Sequence, residues 1–130
     1  MKEHQNLFRD LQEDFRKMKK NLLVAQSGGP TAAINATLAG VIKQAIKEEQ
    51  IDQVYGACYG IQGVLEQKFV NLTEKVDTEE KLEKLKRTPA AALGSCRFKL
   101  NDIKEDDSQY HEIVDILHKM NIGYFVYIGG

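Results

Sequence analysis

The run Leu22-Leu23-Val24-Ala25-Gln26-Ser27-Gly28-Gly29-Pro30-Thr31-Ala32-Ala33-Ile34-Asn35 constrains this chain more than any other stretch. An apolar strand enters a glycine pair, and an amphipathic helix follows with no linker between them. Ile34, Leu38, Val41, Ile42, Ala45 and Ile46 recur at helical spacing, while Lys43, Gln44, Lys47 and Glu48 fall on the other side. That pattern predicts a helix packed on a sheet with its outer face wet. Glycines let a ligand approach the backbone without meeting a Cβ, and the helix start offers unpaired N–H groups and the positive end of its dipole. The segment reads as an anion cradle that opens an α/β unit. The plainer reading is a tight strand-to-helix turn.

Neither common phosphate-loop template fits. A P-loop needs Lys followed by Ser or Thr after its last glycine, and no Lys occurs between Ser27 and Val41. The dinucleotide fingerprint needs Gly-x-Gly-x-x-Gly, whereas Gly28 and Gly29 are adjacent and the next glycine is Gly40. The anion must also be attracted locally, because the net charge is -1 and no long basic run offers a footprint for nucleic acid or an anionic membrane. No apolar run approaches the roughly 18 residues of a membrane span, and the charged N-terminus does not resemble a secretory signal, so a cytoplasmic protein is expected. Cys58 and Cys96 make no Cys-x-x-Cys pair and read as buried free thiols. His111-Glu112-Ile113-Val114-Asp115 begins like a zinc-peptidase helix but has Asp where the second His is required.

Strands and helices alternate after a leader. Residues 1–20 carry Leu7, Phe8, Leu11, Phe15 and Met18 at loosely helical spacing among many charges, as an amphipathic helix or a disordered extension would. Val54 to Cys58 predicts a second strand, and the glycines at 56, 60 and 63 predict a loop that approaches something closely. Asp77 and Glu80 form a capping-box signal for a charged helix over 78–87, ended by Pro89 and expected to be exposed and mobile. Asp106 and Gln109 repeat that signal before a helix with Tyr110, Ile113, Val114, Leu117 and Met120 on one face, and Gly123 fits its C-terminal stop. Tyr124 to Ile128 is an unbroken apolar strand, as central parallel strands are. The order argues for an α/β fold, a doubly wound parallel sheet with helices on both faces. At 130 residues and 42% hydrophobic content, one modest core burying roughly two-thirds of the unfolded surface is what the chain can build.

Ser27-Gly28-Gly29-Pro30-Thr31-Ala32-Ala33-Ile34-Asn35 resembles the opening motif of the phosphofructokinase family. Three further segments fall in that family's order. Tyr59-Gly60-Ile61-Gln62-Gly63-Val64 is similar to its Gly-rich segment after the second strand, and Gly94-Ser95-Cys96-Arg97-Phe98 to its donor-binding Gly-Ser/Thr-x-Arg segment. Tyr124-Phe125-Val126-Tyr127-Ile128-Gly129-Gly130 is similar to the strand and Gly-Gly that lead into its metal-binding Asp. The resemblance thus covers residues 22 to 130.

What the resemblance implies is a phosphotransferase of glycolysis that moves a phosphoryl group from diphosphate or ATP to the 1-hydroxyl of fructose 6-phosphate. Gly28 and Gly29 would offer backbone contacts to donor phosphate, and Arg97 a guanidinium fork able to pair with non-bridging oxygens. Phe98 stands at the family's apolar neighbour position and Gly130 at the start of its metal-binding segment. Thr31 and Asn35, in the first helical turn, are expected to cap or support rather than to touch the donor. Magnesium, its Asp ligand and the catalytic residues are expected downstream of Gly130. The resemblance therefore implies a donor-binding N-terminal portion over 21–130, inactive alone, preceded by an extension over 1–20. A strand that ends in Gly-Gly with no polar tail is a poor natural terminus. Family members assemble as dimers or tetramers. The Pro-Thr form of the loop, and a segment around Cys58 that lacks the tyrosine aligned there in the ATP enzymes, favour diphosphate. The alternative of a different class is a non-catalytic phosphate- or nucleotide-binding regulatory module with a flavodoxin-like sheet.

Overall fold

The computed structural model describes residues 2–26, 32–87, 92–94, 100 and 104–128. Their elements run α1 (Lys2–Met18), β1 (Lys20–Gln26), α2 (Ala32–Lys47), β2 (Ile51–Ala57), α3 (Gly60–Leu65), β3 (Phe69–Asn71), α4 (Leu72–Lys75), α5 (Glu79–Lys86), α6 (Ser108–Lys119) and β4 (Ile122–Ile128). The leader is helical as α1, with Leu7, Phe8 and Leu11 exposed.

The four strands form one sheet in the order β3-β2-β1-β4. β1 pairs in parallel with both β2 and β4, which leaves it central and buried from Leu22 to Gln26. Its side chains alternate between two cores. Leu22 and Val24 face Leu38, Ala39, Ile42 and Ala45 of α2, with Leu72 and Leu82 beyond. Leu23 and Ala25 face Ala57 and Val64, with Ile113 and Leu117 of α6 packed against them. Helices therefore cover both faces, as expected for a parallel sheet whose strands are apolar throughout. Each large side chain removed from water contributes roughly 1.5–3 kcal/mol. The ladder slips between Asn21 and Leu22, and the Asn21 side chain bridges the slip. Its Oδ1 accepts from Gln53 N at 3.0 Å and its Nδ2 donates to Met120 O at 2.8 Å.

Several local expectations are corrected by packing. The sheet is mixed, because β3 runs antiparallel to β2. The glycine-marked stretch is no open loop: residues 60–65 form helix α3, and the close approach is to the protein's own backbone. A Cβ on Gly63 would lie 1.6 Å from the carbonyl oxygen of Cys58. Helix α5 begins one residue later than its cap signal suggested. Thr78 is the N-cap and accepts from Lys81 N at 3.2 Å, while Asp77 pairs with Lys81 Nζ at 2.8 Å, which lowers its carboxyl pKa. That helix is not simply exposed, since Leu82 is buried against the α2 side of the core and Leu85 packs beside it. The cap of α6 is Asp107 rather than Asp106, whose Oδ1 instead accepts from Ser108 N at 3.0 Å. The left-handed residue after α6 is Asn121 at φ 56°, and Gly123 lies inside β4. Among the described residues β4 is an edge strand rather than a central one, with Tyr124, Phe125 and Tyr127 exposed. Cys58 is a half-buried free thiol, and Cys96 lies outside the described residues.

The buried face of α2 is rotated from the one the periodicity suggested. Ile34, Leu38, Ile42 and Ala45 are buried as expected and Val41 partly so, but Ile46 is 51% exposed, and Asn35 and Ala39 are inside. Leu38→Ala should therefore cost roughly 2–5 kcal/mol in a urea melt. Ile46→Ala should stay within about 0.5 kcal/mol, as surface changes do. Gly63→Ala forces the backbone of α3 away from Cys58. It should lower stability by at least the roughly 1–3 kcal/mol of an overpacked core, measured in the same melt.

Candidate functional site

Parallel α/β sheets hold ligands beyond the carboxyl ends of their strands, where the strand order reverses. Here the chain leaves β1 toward β2 on one side and comes back to β4 on the other, so the reversal lies between β1 and β4. Gln26, the last residue of β1, is in register with Ile128, the last residue of β4. In sequence, Ser27-Gly28-Gly29 follow the first and Gly129-Gly130 the second.

A third segment reaches the same end of the sheet. Residues 92–94 are held over the carboxyl ends of β1 and β2 by both backbone groups of Leu93. Its N–H donates to Gln26 Oε1 at 2.9 Å, and its carbonyl accepts from Tyr59 N at 2.8 Å. The neighbouring Ala92 N donates to Asn35 Oδ1 at 2.9 Å. The Leu93 side chain is buried over Gly56, whose absent Cβ leaves it room. Gly94 follows at φ +77°, and any Cβ there would press on the Tyr59 ring at 2.7 Å. Both constraints call for glycine at this turn. Tyr59 itself adopts a left-handed conformation, φ 63°, as the residue that starts α3.

Gln26 and Asn35 connect these segments. Both are fully buried, and Gln26 Nε2 donates to Asn35 Oδ1 at 3.2 Å and to Ile34 O at 3.3 Å. Buried amides are costly unless bonded, and among the described residues no buried side-chain nitrogen or oxygen lacks a partner. The ends of β1, α2 and the 92–94 segment are thereby drawn together by neutral groups. A groove of about 530 Å³ beside α2, lined by Val41, Ala45 and Val126 among others, is apolar and lies along the helix flank. It offers nothing to a polyanion.

The residues assigned to donor binding, Gly28, Gly29, Arg97, Phe98 and Gly130, lie outside the described residues, as does Thr31. What the structure describes is the set of stems that lead into them. Asn35, expected to cap or support, has its Oδ1 accepting from Ala92 N across the fold. Gln26, Tyr59 and the backbone of Leu93 were not singled out from sequence. A signal existed for the amides: Asn35 falls on the same helical face as Leu38, Ala39 and Ile42, and Gln26 closes an apolar strand. A polar residue in such a place is buried and must have found a partner.

Residues 21–130 match the family model described as Phosphofructokinase. The chain is 41% identical over 112 residues to the pyrophosphate--fructose 6-phosphate 1-phosphotransferase of Rhodospirillum rubrum, covering 86% of this chain and 26% of that protein. Identity to the protein of the same name from Halomonas elongata is 40%, over 85% of this chain and 26% of the relative. The crystal structure of a pyrophosphate-dependent phosphofructokinase from Nitrosospira multiformis superposes with a TM-score of 0.76 at 36% identity, covering 86% of this chain and 27% of that one. The chain thus spans about a quarter of the length of these relatives. With a family match over nearly all of its sheet and loops, the chain belongs to the phosphofructokinase family.

Proposed function

We propose that this chain supplies the donor-binding part of a diphosphate-dependent 6-phosphofructokinase. In the proposed reaction the 1-hydroxyl oxygen of fructose 6-phosphate attacks the terminal phosphorus of diphosphate, and phosphate leaves. The observation that carries the reading is the meeting of three stems at Gln26: the Gly28-Gly29 loop follows it, Gly129-Gly130 follow its register partner Ile128, and the segment leading to Arg97 is bonded to its side chain. Phosphoryl transfer asks little covalent chemistry of a protein and much positioning and charge neutralisation. Backbone donors at residues 28 and 29 and a guanidinium at 97 are suited to that task. In this reading Phe98 is the family's apolar neighbour of the arginine, and Gly130 begins the family's metal-binding segment.

The names of the relatives support diphosphate over ATP, and they favour an enzyme over a non-catalytic binding module. Among the described residues no three His, Cys, Asp or Glu side chains cluster to hold a metal. By the family resemblance, magnesium and the catalytic base are assigned in this reading to residues that follow Gly130 in the family's order. A cytoplasmic location and a homo-oligomeric enzyme complete the proposal. No helix among the described residues is long and apolar enough to cross a membrane.

Two measurements test this reading. The 130-residue chain should bind inorganic diphosphate in a calorimetric titration, more tightly than ATP, yet show no phosphorylation of fructose 6-phosphate with either donor. Turnover by the chain alone would overturn the placement of the catalytic residues, and tighter binding of ATP would overturn the donor assignment. In a chimera carrying residues 21–130 in place of the matching part of the Rhodospirillum rubrum protein, Arg97→Ala should lower kcat/KM for diphosphate by about 1.5–3 kcal/mol, the scale of a charged hydrogen bond. The KM for fructose 6-phosphate should hardly move. Gly28→Val should abolish donor binding with the melting curve retained, because its side chain would occupy the anion's approach.

A further inference from the structure

We infer that Gln26 and Asn35 are positioning residues for the phosphoryl donor, a buried pair of amides that clamps the stem of the Arg97 segment onto the end of β1. The inference rests on the functional reading above and adds residues to it that touch no substrate. An apolar residue at 26 would continue the run from Leu22 to Ala25, and one at 35 would continue the face of Leu38 and Ile42. Desolvating two side-chain amides there is unfavourable unless they bond well. The bonds they make to the 92–93 backbone cross 57 and 67 residues of sequence, through Asn35 Oδ1 to Ala92 N and Gln26 Oε1 to Leu93 N.

The geometry of the clamp has a direct consequence for the donor. Gln26 stands two residues before Gly28, and Leu93 four residues before Arg97. Fixing one to the other at 2.9 Å ties the stem that precedes the glycine pair to the stem that precedes the Arg97 segment. Paired guanidinium bonds tolerate little misplacement, and a site held within about 0.5 Å depends on the groups that lock its supports. Leu93 is locked a second time by Tyr59 N, so losing one amide bond should displace the segment without releasing it.

The test uses the 130-residue chain, inorganic diphosphate as the probe, and three variants: Asn35→Leu, Gln26→Met and Leu38→Ala. Amide hydrogen exchange followed by NMR reads the clamp, calorimetry reads diphosphate affinity, and a thermal melt reads the fold. Asn35→Leu should speed exchange at Ala92, and Gln26→Met, matched in length, at Leu93, with Val24 and Val126 in the sheet still protected. Each should weaken diphosphate at least tenfold. Leu38→Ala, which destabilises the same core without touching the clamp, should leave the affinity within about threefold, the margin by which a core change of similar cost is told from a positioning effect. The inference is overturned if the clamp variants lose amide protection and keep wild-type affinity, or if Leu38→Ala weakens diphosphate as much as they do. Should one clamp variant fail to fold, the other decides. A wild-type chain that does not bind diphosphate at all overturns the functional reading itself, and shows this before any variant is made.

Discussion

The structure depends on β1 being paired on both edges and covered on both faces. A strand in that position has no water within reach, so every polar group it carries must be satisfied by protein. Up to Ala25 this is simple, because the side chains are apolar and the backbone is held by β2 and β4. At Gln26 the strand carries a side-chain amide in a fully buried place. Its partners are Asn35, the Ile34 carbonyl and the backbone of residue 93, and they bring the start of α2 and a distant segment to the strand's end. The assembly of that end of the sheet follows from the need to satisfy one buried amide.

The same arrangement bears on the proposed donor site, because the chain carries a net charge of only -1. A net charge near zero gives little long-range attraction, so the proposed site would depend on oriented backbone N–H groups and the Arg97 guanidinium. Such donors act only if their directions are set before the ligand arrives. Neutral amides suit this purpose, since they fix backbone without adding a competing charge. The strand order reverses between β1 and β4, and Tyr59 and Gly94, both left-handed, flank the bond from Tyr59 N to the Leu93 carbonyl.

Much of this was legible in the residues themselves. The continuous apolar runs at 22–25 and 124–128 marked parallel strands, and the periodicity from Ile34 to Ala45 marked the helix between chain and solvent. The errors share a cause. Counting apolar residues placed Ile46 inside and overlooked Asn35 and Ala39, because a small residue and an amide score poorly in any hydrophobic pattern. Ala39 is nevertheless well suited to a helix that lies close to a sheet, and Asn35 is stabilised by a partner 57 residues away. In the same way, the glycines at 56, 60 and 63 read as a loop that approaches something closely, whereas residues 60–65 form α3 and Gly63 is required by the carbonyl of Cys58 against which it packs. Asn121, rather than the later Gly123, takes the left-handed turn after α6, a role short polar side chains share with glycine.

Sequence alone determined the class of fold, the glycine pair between β1 and α2, and the resemblance that named its family, since each of these is written in local order and spacing. Tertiary structure decided which helix face is buried, that β3 runs antiparallel, and that residues 92–94 are fastened to Gln26 and Asn35. The physical reason is that periodicity reports only a residue's own preference for water or oil. A buried amide is stable only with a partner, and that partner is chosen by the folded chain rather than by neighbours in sequence.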